Sequence, residues 1–105
     1  MEERPSSQGT WTFLTNHARV LAQIARDPGT RIRDIATACL LTERAVQKII
    51  TDLEDGGYLT HTRRGRTNHY RVILGTRLRH PADDGTVDDL LAILDHKSGP
   101  ESAAG

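Results

Sequence analysis

The sequence predicts a mainly α, α+β domain: helices with one small β-hairpin and an additional C-terminal helix. Three observations carry that expectation. Apolar residues recur at helical spacing in separate stretches, a Gly56-Gly57 pair interrupts them, and two short alternating runs around an Arg-rich turn follow the break. At 105 residues the expected unit is one domain, with room for a single hydrophobic core and not for a separate effector domain. Residues 1–10 and 96–105 are polar, with Pro, Gly and Ser, and are expected to be flexible; residues 11–95 are the expected folded body.

In TNHARVLAQIARDPG, Leu14, Ala18, Leu21 and Ala25 repeat at helical spacing, Val20 and Ile24 widen the stripe, and Pro28-Gly29 stops it. Trp11 and Phe13, just ahead of this first helix, are expected to pack on the core or to lie over it as a hydrophobic lid. Thr30 to Ile32 can form a short strand. RDIATAC then places Ile35, Ala36 and Cys39 on one face of a two-turn second helix, with Leu40-Leu41 as the turn. Thr42 can cap the third helix, and Glu43 lies at the positive end of its dipole. Val46, Ile49, Ile50 and Leu53 form the buried stripe of that helix, so Glu43, Arg44, Gln47, Lys48 and Thr51 face the other way.

Gly56-Gly57 supplies the left-handed conformation that a helix C-terminus favours. Residues 58–62 and 69–73 alternate as half-buried strands do, joined by a loop from Arg63 to Asn68 in which Gly65 and Asn68 tolerate positive φ. An isolated hairpin is marginal, so Leu59, Tyr70 and Val72 are expected to pack on the helices. Thr86 can cap a last helix over residues 86–95. Its Asp88 and Asp89 fall in the first turn, and Val87, Leu90, Leu91 and Leu94 form an apolar stripe.

The formal net charge is zero, which argues against a nucleic-acid partner until the charge is divided by region. Residues 31–80 hold ten basic against five acidic side chains, and residues 81–105 hold one against six. Such a chain can present a local cationic surface, because surface fields decay within a Debye length of about 10 Å. No apolar run approaches the roughly 18 residues of a membrane span, and MEERPSSQGT lacks the basic-then-apolar order of a secretory signal. A soluble protein in the cytoplasm, associated with the nucleoid and not with a membrane, is expected. The lone Cys39 excludes an internal disulfide, and its place on an apolar stripe favours packing over a redox role.

From Trp11 to Val72 the chain resembles the winged helix-turn-helix domains of bacterial transcriptional regulators of the MarR, IclR and ArsR type. The resemblance lies in IRDIATACLLTERAVQKIITDLEDGGYL, for the helix-turn-helix and its exit, and in TRRGRTNHYRV, for the wing. It implies a sequence-specific regulator of double-stranded DNA, a repressor by analogy. The helix over residues 42–55 would read the major groove, and the wing over residues 63–69 would contact the backbone or minor groove. Thr42, Arg44, Gln47 and Lys48 match positions that reach bases and flanking phosphates, and Arg63, Arg64, Arg66 and Asn68 match the wing tip. Arg71 adds to the same basic surface. Arg and Gln suit guanine and adenine edges, whereas Lys48 and the wing arginines suit phosphates.

Two departures from the pattern matter. Many relatives have Gly where this chain has Leu40, so the turn must avoid a left-handed residue or accept strain of about 1 kcal/mol or more. The long helical extensions that full-length MarR proteins use to dimerise and bind ligands are also missing, so no small-molecule effector is assigned. One helix and one wing offer few specific contacts, and a homodimer on a palindromic site is expected. Trp11, Phe13, Val87, Leu90, Leu91 and Leu94 form the candidate dimer surface; the alternative for the last helix is packing against the first.

Other functions find less support in the residues. Nucleophile elbow, phosphate-binding glycine loop and metal motif are all missing, so neither catalysis nor a cofactor is expected. His17, His61, His69, His80 and His96 are scattered. Asp95-His96 reads as a solvated helix end, and His61 and His69 are expected to come close across the hairpin. A winged helix can also serve as a protein-interaction module or bind RNA. The basic third helix and wing favour DNA over the first, and the scarcity of aromatics disfavours the second.

Overall fold

The structure is a computed structural model that describes residues 11–94. Its element order is α1 (Asn16–Arg26), α2 (Ile32–Cys39), α3 (Glu43–Asp55), β1 (Leu59–Arg64), β2 (Thr67–Val72) and α4 (Val87–Leu94). This is the expected α+β winged-helix architecture with its C-terminal helix. No helix among the described residues is long and apolar enough to cross a membrane. The expected flexible ends, together with Asp95 and His96, lie outside the described residues.

The α1 helix begins at Thr15, whose hydroxyl accepts the Ala18 N–H at 3.1 Å. Its buried residues are Val20, Leu21 and Ile24. They shift the stripe from the expected line, for Ala25 is exposed. The expected strand at Thr30 to Ile32 does not form. The Arg31 carbonyl instead accepts the Ile35 N–H at 3.0 Å, so the segment enters α2, and one backbone bond from Tyr70 N–H to the Pro28 carbonyl, 2.9 Å, ties the preceding loop to β2.

Leu40 closes α2 in the left-handed conformation, at φ 59 and ψ 45. The Leu41 N–H donates to the Ala36 carbonyl at 2.9 Å and the Leu40 N–H to Thr37 at 3.4 Å. The same pair of bonds ends α3, where Tyr58 N–H donates to Leu53 and Gly57 N–H to Glu54, with Gly57 at φ 85. Leu40 therefore does the work of a glycine, at a backbone cost of about 1–2 kcal/mol. Its side chain is 91% exposed.

Thr42 caps α3 through its hydroxyl, which accepts the Ala45 N–H at 3.0 Å, and Val46, Ile49, Ile50 and Leu53 are buried as expected. The hairpin is antiparallel, pairing Leu59 with Val72, His61 with Tyr70 and Arg64 with Thr67. The strands thus run further than the sequence suggested. Gly65, at φ 62, and Arg66 alone make the turn, and a glycine first in a two-residue turn is the type II′ arrangement that matches strand twist.

The three helices α1, α2 and α3 pack on one another, α1 also touches β2, and α3 touches β1. Leu59 and Tyr70 are buried in the core, Val72 packs against it, and Tyr58 joins them with its hydroxyl donating to the Arg77 carbonyl at 2.6 Å. Thr86 and Asp89 cap α4 reciprocally: Thr86 N–H donates to the Asp89 carboxylate at 3.0 Å and Asp89 N–H to the Thr86 hydroxyl at 3.4 Å. A Gly75 N–H bond to the Asp88 carboxylate, 2.7 Å, ties α4 to the chain leaving the wing.

Trp11 and Phe13 do not pack on the core. They are 65% and 89% exposed and stack edge to face on each other at 4.9 Å. The pair touches only edge to face and stays exposed, while Val20, Leu21 and Ile24 are the residues of α1 that enter the core.

Candidate nucleic-acid interface

The amphipathicity of α3 leaves Glu43, Arg44, Gln47, Lys48 and Thr51 exposed on the side away from its buried stripe. Among the described residues, no hydrogen bond or ion pair uses the Arg44 guanidinium or the Gln47 amide. Thr42 is exposed, but its hydroxyl is engaged as the helix cap. Lys48, expected to suit phosphates, has a carboxylate partner within the fold. Its ammonium lies 2.8 Å from one Asp52 oxygen, and the other oxygen lies 2.9 Å from His17 Nε2 on α1. The Lys48 hydrogen bond, then that of His17, hold the Asp52 carboxyl below the usual carboxylate range.

The hairpin register divides the wing residues between two faces. Alternation places Leu59, His61, Arg63, Asn68, Tyr70 and Val72 on the face that packs on the helices, whereas Arg64, His69 and Arg71 lie on the other. Arg63 extends past the core and is exposed, its Nε donating to the Gly65 carbonyl at 3.3 Å. Asn68 is half-buried, and Arg64, Arg66 and Arg71 are exposed. The wing therefore presents cations on both flanks and at its tip, not on a single plane.

That register also overturns the expected closeness of His61 and His69, which lie on opposite faces. His61 Nδ1 bonds to the Glu54 carboxylate at 2.5 Å, and the His69 ring lies over Gly29, where a Cβ would come within 3.2 Å of Nε2. Arg31 and Arg33, exposed at the start of α2, were not among the sequence-derived candidates. Their signal was present in the Arg-Ile-Arg run, whose apolar middle residue packs against the core.

The candidate dimer surface changes more. Val87 is 1% exposed and belongs to the protomer's own core, so it is not available to a partner. Leu90, Leu91 and Leu94 are half-buried, Leu91 against the core. The outward apolar residue of α4 is Ile93, 70% exposed, which the expected stripe omitted. A cleft of about 710 Å³ between α1, the end of α3 and α4 is walled in part by His17, Asp52, Tyr58 and Leu90. It does not include Arg44, Gln47 or the wing. Cys39 is half-buried, and burial pushes its thiol up, partly offset by Arg19. Among the described residues no three of His, Cys, Asp and Glu gather where they could hold a metal ion.

Comparison with known proteins adds two matches to this geometry. The family described as "MarR family" matches residues 12–67, from Thr12 through the three helices and β1 to the first residue of β2. Among solved structures, one described as "Crystal structure of the AntR antimony-specific transcriptional repressor" has a TM-score of 0.51 at 22% identity, covering 97% of this chain and 98% of that one. That likeness is one of fold. No curated protein matches.

Proposed function

The chain belongs to the MarR family, whose members are DNA-binding transcriptional regulators and not enzymes, and from that premise we propose that it reads a specific double-stranded site with α3 and the wing. The observation that carries the reading is the unengaged, exposed pair Arg44 and Gln47 on α3, beside a hairpin tipped with Arg64 and Arg66. Guanidinium and carboxamide groups make bidentate contacts to guanine and adenine edges in the major groove. Thr42, Lys48, Arg63, Arg64, Arg66, Asn68 and Arg71 supply phosphate and minor-groove contacts, and Arg31 and Arg33 extend the cationic surface.

The acting form is a cytoplasmic homodimer, because one helix and wing cover too few base pairs for a unique address. Trp11 and Phe13, with Ile93 on the outward side of α4 flanked by the half-buried Leu90 and Leu94, supply its apolar contact. Occupying a promoter blocks transcription without any further surface, whereas activation needs a polymerase contact; repression is therefore the proposed sign. The antimony of the solved neighbour's description is not carried over, since Cys39 is the only cysteine and its thiol is disfavoured as a thiolate.

Selection of bound fragments from random double-stranded DNA tests the reading. Enrichment of an inverted repeat, with half-sites one or more helical turns apart, is the expected result. A folded protein that enriches no sequence overturns it and leaves a protein-interaction module as the function.

A further inference from the structure

Leu40 is the one described residue other than glycine with positive φ, at 59, and it is also the most exposed of the large apolar side chains, at 91%. Nothing among the described residues explains a leucine there. Its backbone bonds need only a left-handed residue, which glycine supplies without strain, as Gly57 does at the end of α3. Its side chain gains no packing in return. Strain of this kind, held at a side chain that is 91% exposed, points to a contact made in the bound protein.

The direction of that contact follows from its neighbours. Leu41 packs against the core, whereas Leu40 and Thr42 on either side are exposed. Thr42 caps α3, and Arg44 follows on the exposed face. Leu40 therefore stands at the leading end of the helix whose N-terminal residues approach base edges in a helix-turn-helix complex. The group on a base edge that an aliphatic side chain recognises is the thymine 5-methyl.

We propose that Leu40 reads a thymine methyl at the edge of the site contacted by α3, as an apolar specificity determinant beside the polar pair Arg44 and Gln47. The inference rests on the reading of α3 as the DNA-contacting helix. Burying one methyl between leucine and base is worth about fourfold in affinity, from the transfer free energy of a single carbon.

The test starts from a DNA sequence selected by the wild-type protein, in which each thymine is replaced in turn by deoxyuridine. Wild type loses about fourfold at one thymine per half-site. Leu40→Gly and Leu40→Asn, both tolerant of the left-handed turn, bind with no thymine-over-uracil preference at that position and keep the preferences set by Arg44 and Gln47. Thermal melting of both variants at or above the wild-type midpoint, as relief of the backbone strain would give, shows that the lost preference is not unfolding. A uniform response of wild type to all uracil replacements, or an unchanged preference in the variants, overturns the Leu40 assignment alone. Failure of wild type to select any DNA overturns the parent reading and this one with it.

Discussion

Arg44 and Gln47 lie three positions apart on α3, one turn along the same exposed face, where two side chains can meet neighbouring base pairs. Replacing either by alanine is expected to cost about 1–3 kcal/mol at particular base pairs and little on unrelated DNA. Titrations against the selected site and its single-base variants check this; equal losses on every sequence would reduce both residues to phosphate contacts. These side chains were legible because helical period and charge assign an outward face without any knowledge of the partner. Trp11 and Phe13 were not, since hydrophobicity gives a tendency to be covered but not the surface that covers it, and here both rings stay exposed apart from their edge-to-face contact. The His17 contact to Asp52 was equally hidden, for it joins residues 35 positions apart through the packing of α1 on α3.

Among the elements, α3 and its glycine exit follow directly from four apolar positions and a left-handed stop, and the structure reproduces both. The strand expected at Thr30 to Ile32 failed because Pro28 and Gly29 leave too little chain before α2 claims it, so only one bond to β2 survives. The wing grew instead, since each added strand pair satisfies backbone groups that a six-residue loop would leave to water. Its arginines occupy both flanks, so Arg64→Ala and Arg66→Ala are each expected to reduce the salt slope of binding by about 1 while leaving base preference in place. Fluorescence anisotropy over a salt series measures it, and slopes equal to wild type would remove the wing from the phosphates. At the other end of the wing, Asp88 holds Gly75, and that hydrogen bond, followed by one from Thr86, lowers its carboxyl below the usual range. A lowered carboxyl contributes its full stability above the unfolded value near 3.9 and loses it as pH falls through the folded value. Melting temperature should therefore fall more steeply with acid below about pH 4 in wild type than in Asp88→Asn, whose midpoint is lower at neutral pH.

The whole molecule combines a neutral total with a cationic middle and an acidic end, an arrangement already visible in the order of its charges. What the sequence left open was which side of α4 is free for a second copy, because an apolar stripe looks the same whether it turns inward or toward a second chain. Val87 turns inward and Ile93 outward. Sedimentation at micromolar concentration is expected to give a dimer for wild type and a folded monomer for Phe13→Asp with Ile93→Asp; a monomeric wild type would end the dimer proposal. Association also bears on how Lys48 acts. Asp52 is a built-in counterion for Lys48, with His17 on its other oxygen. In the proposed complex a phosphate that takes the lysine sheds a salt cation while Asp52 is left to recruit one, so the exchange releases less net salt than a contact to an arginine without a carboxylate partner. Lys48 is thus the proposed contact whose strength depends least on ionic strength, in contrast to the arginines of the wing.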